Sequence, residues 1–469
     1  MQRFVSKYGA AAHLALLAVA PLFLFPYCSS GNIATVLIWL SPLVALWILL
    51  EPSRRSDEML HNARIRVAKS IVTDPLFWVM LVVAVVAGLR CLNDGVALAY
   101  DAEAAKWYVK EASVKFLPGA TAGSGRLPFA CSIAILVLVE GCRHALGRSA
   151  RASFLFSMST LAGVAAIAAI SAVALGHPGA VKATELGLAD TSFAGTAFGL
   201  HFLAGLVALV GAFEQKWVKQ FSLFAFALGG TSAGLYFFAP TTVSLLFLAA
   251  GVLVLLVGVG YAGFALGEGV PYKCVAVVII AAAIPCLCAM GLSPEGMNVE
   301  RLAPFGEEGG SFFKPAFFPL REILSGIAAK SWSAHPWVGT GLGSFTLDVR
   351  FAATPDDWAV LPVGTYSPLN GWWEVLSERG ILGMVSLLLP LAFIAFTFFR
   401  RLIGAFRRPL FVPACVLGPV ALAAVAAEMF FDASALRADA MMAVGALFAL
   451  SASSFPAPAK AAKDAKQGS

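Results

Sequence analysis

Residues 153–175 read SFLFSMSTLAGVAAIAAISAVAL, 23 positions without one charged side chain. A helix of that length is about 35 Å long, enough to cross the roughly 30 Å hydrocarbon core of a bilayer. Working outward, apolar windows recur at 10–27, 31–50, 75–92, 128–142, 191–213, 221–238, 241–263, 275–292, 380–399, 409–431 and 439–454. With the first they make twelve. The bulk composition agrees: of 469 residues 59% are hydrophobic and 13% charged, against roughly 25% charged in an ordinary soluble domain, and the mean hydropathy is +0.82. These values exclude a soluble enzyme, a disordered chain and a disulfide scaffold. The expected fold class is an all-α polytopic membrane protein with about 12 transmembrane helices.

The beginning of the chain looks like a signal peptide, with Arg3 and Lys7 ahead of an apolar run that ends near Phe25. Tyr27 is a poor small-residue cleavage position and a second apolar window follows at once, so an uncleaved first helix is expected. Cys28 is not preceded by the small residues that lipoprotein processing needs. The eight cysteines fall mostly inside apolar segments, with no CxxC pair and no Cys/His ligand spacing; they read as small buried hydrophobes, and no metal site is expected.

The net charge of +6 is modest, and the basic residues sit in short clusters between apolar runs. That is a signal of orientation in a bilayer, whereas nucleic-acid binders gather their basic residues on one face; no nucleic-acid partner is expected. If the N-terminus is cytoplasmic, the inner segments hold 20 Lys and Arg and the outer ones 11, as the positive-inside rule requires. Both termini are then cytoplasmic and both long connections extracytoplasmic. Residues 1–292 carry the first nine helices with one outer loop at 93–127, which contains Lys106, Trp107, Tyr108, Lys110 and Lys115. Residues 293–367 form the large outer loop, 368–454 the last three helices, and 455–469 a disordered cytoplasmic tail. Loops beyond about 12–15 residues are usually functional or disordered. The aromatic content of 293–367 argues against disorder, and PLREILSGIAAKSW (319–332) reads as a short helix. No internal repeat and no pair of Gly/Pro-broken spans points to an alternating-access transporter.

Chemistry is therefore sought in the outer loop. Lys314, Arg321, Lys330 and Arg350 gather there, and an arginine fork suits phosphate; lipid headgroups or the loop acids Glu307 and Glu308 would occupy such cations equally well. Gly339, Gly341 and Gly343, spaced G-x-G-x-G, fit either a turn returning the chain to the membrane or a backbone that offers N–H groups to an anion. His335, before Pro336, is a turn residue or a base. Glu374 and Glu378, four apart, share a helix face, so one of them serves as general base or both sit at a solvated helix entry. His201 lies in the middle of an apolar window, where an ionisable side chain is a functional candidate or a neutral hydrogen-bonding group between helices. Glu428 and Asp432 either line a cavity or reach the interface.

Three segments together resemble the O-antigen ligase/polymerase family of membrane glycosyltransferases. GTAFGLHFLAG (195–205) is similar to that family's GT-F-x-N-x-N-x-x-A-G segment, with His201 at the second Asn. Arg321 followed by HPWVGTGLGSF (335–345) is similar to its arginine helix and P-x-x-G-x-G-x-G-x-F. LNGWWEVLSERGILG (369–383) resembles H-N-x-x-L-x-x-L-x-E-x-G-x-x-G. The resemblance covers about 195–385 in order. It implies a GT-C-like fold with a large periplasmic loop in the bacterial inner membrane. It also implies metal-independent, inverting transfer of a glycan from undecaprenyl diphosphate to a lipid A-core hydroxyl or another glycan, without a cofactor. The implied diphosphate ligand is Arg321, with Lys314, Arg350, Asn370, His201 and Trp337 as further substrate-binding residues. Two positions depart from the pattern: Leu369 stands at the family's histidine and Pro240 at its other arginine. His335, Glu374 or Tyr366 then takes the place of the missing base. Trp332, Trp337, Trp358, Tyr366, Trp372 and Trp373 stack on sugars or anchor at the interface. The rival expectations are a transporter or flippase of lipid-linked sugars and a non-catalytic subunit of a polysaccharide assembly system.

Overall fold

The protein is described here from a computed structural model, which covers residues 2–25, 27–28, 30–52, 60–111, 114, 119–175, 195–214, 218–238, 241–266, 279, 283, 318–359, 361, 367–405, 411–430 and 436–453. Most of the expected span 275–292, the loop up to residue 317 and the tail 455–469 lie outside the described residues. The chain runs α1 (Gln2–Leu24), α2 (Ser30–Leu50), α3 (Leu60–Val72) and α4 (Pro75–Leu92), then a hairpin of β1 (Ala97–Asp101) and β2 (Lys106–Lys110). There follow α5 (Arg126–Glu140), a π-turn at Gly141–Ala145, α6 (Arg148–Ala174), α7 (Gly195–Glu214), α8 (Val218–Phe238) and α9 (Thr241–Leu266). The last group is α10 (Phe318–Ala334), α11 (Phe345–Ala352), α12 (Pro355–Trp358), α13 (Gly371–Ala405), α14 (Phe411–Glu428) and α15 (Ala438–Ser453).

This is a mostly α-helical, membrane-associated protein. Among the described residues four helical stretches are long and apolar enough to cross a bilayer: Gly31–Leu50, Pro75–Leu92, Arg126–Ala145 and Ala150–Ala172. Their side chains are arranged for lipid. α2 buries Ser41, whose hydroxyl donates to the Leu37 carbonyl at 2.6 Å, while Trp39 and Leu43 are 70% and 63% exposed. Large apolar side chains outward and a satisfied hydroxyl inward is the reverse of a water-soluble helix. Inside the bundle the packing relies on small residues: a Cβ on Gly163 would lie 2.7 Å from the Ala227 carbonyl oxygen, so α6 and α8 meet backbone to backbone.

Two elements go beyond the sequence reading. The β1–β2 hairpin is a departure from the all-α expectation. It pairs Ala97 with Lys110 through Asp101 with Lys106, and the Asp101 carboxylate accepts from the N–H groups of Glu103 and Ala104 at the turn. Aromatic and β-branched KWYVK supplies the strand preference. α3 is an amphipathic helix that buries Ala63 and Val67, one turn apart. The helix expected over 319–332 is present as Phe318–Ala334. Its Leu320, Leu324, Ile327 and Ala328 build a small second core with Phe345, Val349, Leu361 and Leu369, separate from the main bundle core.

A broken helix and a cationic groove as the candidate site

The feature that organises the candidate site is a break in α13. Gly380 has φ 62° and ψ −167°, which interrupts the hydrogen-bond ladder and leaves carbonyls before it and N–H groups after it to be satisfied elsewhere. The segment 336–341 supplies the partners. Thr340 N–H donates to the Ser377 carbonyl at 2.8 Å and Gly341 N–H to that of Glu378 at 3.1 Å; Ile381 and Leu382 N–H donate to the carbonyls of Pro336 and Trp337 at 2.9 and 3.1 Å. Arg90, from the last turn of α4, donates Nη1 to the Glu378 carbonyl at 3.4 Å and Nη2 to that of Arg379 at 3.1 Å. The approach demands glycine at 339: its φ is +73° and a Cβ would stand 2.3 Å from the Glu378 carbonyl carbon.

Of the two readings open for the glycine segment, the structure supports the turn. Leu342 N–H donates to the Gly119 carbonyl at 3.0 Å and its own carbonyl accepts from Thr121 N–H at 2.8 Å, so this backbone is committed to protein partners on both sides. The acceptor it meets is internal: the Gly343 and Phe345 N–H groups face the Glu378 carboxyl, Phe345 at 3.5 Å.

Beneath the break lies a mainly apolar groove between α4, α5, α13 and α15. Met80, Ala87, Ile135, Leu387 and Phe448 are among its walls, and Arg90 and Arg379 line it as well. The two arginines stand at one end. From Arg90 the groove follows α4 back to Met80, about 15 Å at 1.5 Å per residue. Because Arg90 is bound to carbonyl oxygens and not to a carboxylate, its charge is held in place without being cancelled. Among the described residues no carboxylate oxygen lies within 4.0 Å of Arg379.

On the other side of the break stand the acids. Glu378 is buried, and burial together with the charge of Glu374 pushes its carboxyl up to about 8. Glu374, in the first turn of α13, accepts from the Ser367 hydroxyl at 2.8 Å. Asp348 accepts from the Thr340 hydroxyl at 2.9 Å. Burial raises its carboxyl above the usual carboxylate range, while hydrogen bonds from Thr340 and Ser331 and the nearby His335 oppose the rise. The fold thus gathers His335, Asp348, Glu374 and Glu378 around one segment.

The other residues singled out from sequence are dispersed. Arg321 lies partly buried in the first turn of α10 and does not line the groove. Arg350 is exposed on α11, and Trp337 is 65% exposed. Asn370 caps α13, its Oδ1 accepting from Trp372 and Trp373 N–H at 3.0 and 3.2 Å, while its Nδ2 donates to the Phe430 carbonyl at 3.3 Å. Leu369 before it has φ +53°. His201 is 1% exposed in α7, without a hydrogen-bond partner among the described residues. Glu428 is buried and accepts from the Thr196 hydroxyl, tying α14 to α7. Lys314, Tyr366 and Asp432 lie outside the described residues. The sequence reading missed Arg90 and Arg379 as the cations of the groove. Their only local signals are an arginine in the last turn of an apolar helix and the Glu378-Arg379-Gly380 run.

A second polar cluster occupies the far end of α4 and α5. Asp74 caps α4 through Leu76 N–H, with Oδ1 accepting at 3.0 Å. Its Oδ2 receives Arg143 Nη2 at 2.6 Å and His144 Nε2 at 2.8 Å, and Glu140 Oε2 is 3.3 Å from the same His144 nitrogen. Asp74, Glu140 and His144 have ligand atoms within 4.8 Å of one another. No protein-family model matches the sequence, and no curated protein matches it.

Proposed function

We propose that the protein transfers a glycan from an undecaprenyl-diphosphate carrier to an acceptor hydroxyl, a lipid A-core or another glycan, in the manner of the O-antigen ligase/polymerase family. In this reading the chain has about twelve spans in a GT-C-like arrangement in the bacterial inner membrane. Both termini are cytoplasmic and the break in α13 faces the periplasm. The observation that carries the proposal is the groove. An apolar cleft between apolar helices, closed at one end by two arginines, matches a ligand with a greasy tail and a diphosphate head.

The tail lies along Met80, Ile135 and Phe448, and the diphosphate meets Arg379 with Arg90 behind it. The acceptor approaches from the loop side. As the sugar–diphosphate bond breaks, negative charge grows on the leaving oxygen, where fixed guanidinium groups stabilise it most. The acceptor oxygen forms the new bond to the anomeric carbon and its proton passes to Glu374. Glu378, one turn away, keeps its own proton at neutral pH and so adds no second negative charge beside the acceptor. Arg321 supplies a third cation for the donor from the loop side. The reaction uses no cofactor.

The test is reconstitution in proteoliposomes with an undecaprenyl-diphosphate glycan and candidate acceptors. Transfer by the wild type and its loss in Arg379→Ala are expected. Translocation of the labelled donor with no transfer product would replace this reading with a flippase of lipid-linked sugars.

A further inference from the structure

The Asp74–Glu140–His144 cluster has no part in glycan transfer, since it lies at the end of α4 opposite Arg90, about 24 Å away at 1.5 Å per residue. Its construction is unusual for a plain ion-pair cluster. α5 gives way to the π-turn at Gly141–Ala145 directly after Glu140, a distortion often found at functional sites. The i,i+4 pair Glu140 and His144 is thereby presented to Asp74, which arrives from the start of α4. Glu140 is 4% exposed; its Oε1 has no hydrogen-bond partner among the described residues, and its Oε2 faces only His144 Nε2, at 3.3 Å. A buried carboxylate without a donor is costly, so a cation belongs beside it.

His144 alone does not supply that cation well. Its Nε2 faces both acids, at 2.8 Å from Asp74 Oδ2 and 3.3 Å from Glu140 Oε2, and one N–H serves one acceptor at a time. A metal ion on the Nε2 lone pair touches all three atoms together. With bonds of about 2.0–2.1 Å in a tetrahedral site, ligand atoms stand roughly 3.3 Å apart; His144 Nε2 is 3.3 Å from Glu140 Oε2 and 2.8 Å from Asp74 Oδ2, and all three atoms lie within 4.8 Å of one another. Arg143 donates Nε to Asp74 Oδ2 at 2.8 Å as well as Nη2, which orients the carboxylate as outer-shell partners of metal ligands do. With a neutral, ligating imidazole, Asp74, Glu140 and Arg143 leave one net negative charge. We propose that Asp74 Oδ2, Glu140 and His144 Nε2 bind a divalent cation of the zinc class. The side chains of His144 and Arg143 are 15% and 21% exposed, which gives the cation a route from solvent.

The experiment uses the full chain in detergent, stripped with chelator, titrated with Co²⁺ by visible absorption and then with Zn²⁺ in competition. One equivalent of Co²⁺ with four-coordinate d–d bands, displaced by Zn²⁺, is expected. Glu140→Gln and His144→Ala should each weaken binding at least ten-fold. Asp74→Asn retains the helix cap, because Asn caps as well as Asp; it carries the test should another variant not fold. Arg379→Ala should bind metal as the wild type does, which separates this site from the transfer reaction. Absence of stoichiometric binding by the wild type, or unchanged binding in folded Asp74→Asn, overturns the proposal.

Discussion

The two ends of α4 hold buried arginine and acidic chemistry in opposite ways. At the Asp74 end the charges answer one another: Arg143 and His144 converge on one carboxylate oxygen. At the Arg90 end the guanidinium is satisfied by two backbone carbonyls released by the break at Gly380. Both solutions give a buried charged group, Asp74 or Arg90, polar partners in an apolar setting. They differ in what they leave over. A cation paired with a carboxylate has lost its field, whereas one held by carbonyl dipoles keeps a full positive charge facing the groove. A broken helix is therefore a means of burying an arginine without neutralising it.

The largest effect is expected from destroying the break itself. Gly339→Ala puts a Cβ into the backbone of Glu378 at a positive φ. It should cost about 3 kcal/mol or more, read as a large drop in melting temperature, and remove transfer with it. A near-normal melting temperature would mean that 336–341 does not hold the two halves of α13 together.

Next comes the charge in the groove. Arg379→Ala should lower transfer by about 10²- to 10³-fold, as removal of a stabilising donor does elsewhere, with little change in melting. Arg321→Ala, which does not line the groove, should cost less. The reverse order would move the diphosphate out of the groove and on to the loop face.

The acids behave unlike the arginines and give a pH test. The carboxyl of Glu378 sits at about 8 in the folded protein against 4.5 for the free group, so between those values the folded state holds more protons than the unfolded one. The contribution of Glu378 to stability should be fully present below about pH 4.5, fall as pH rises towards 8, and then be lost. Thermal melting from pH 5 to 8.5 reads this, and Glu378→Gln should flatten the slope. An equal slope in the variant would assign the effect to another group.

The smallest expected effect is at Asn370. Replacement by Ala removes the cap of α13 and should cost about 1 kcal/mol, visible as a modest melting shift. Asn370→Asp, which also caps, should restore stability. Abolished transfer in a normally stable Asn370→Asp would instead favour direct contact with substrate.

Much of the frame is legible in the chain. Long uncharged windows announce apolar helices because a bilayer gives no partner to an exposed backbone group, and the helix at Phe318–Ala334 follows from its own apolar spacing. Gly339, Gly341 and Gly343 are also visible at once, yet their purpose is not: a glycine motif has the same spelling whether its N–H groups meet a ligand or another helix. The hairpin escaped because two five-residue strands carry a weak signal beside so many apolar windows. Arg90 and Arg379 escaped for a different reason. They are 289 positions apart, and neither gains meaning until the other is beside it.

The sequence by itself determined that this chain belongs in a membrane and where its apolar helices begin, since hydropathy and periodicity are local quantities. Only the tertiary structure decided which charges are shielded, which are cancelled and which still face a cavity. The energy of a buried charge depends on the groups within a few ångströms of it, and the chain supplies those from distant segments.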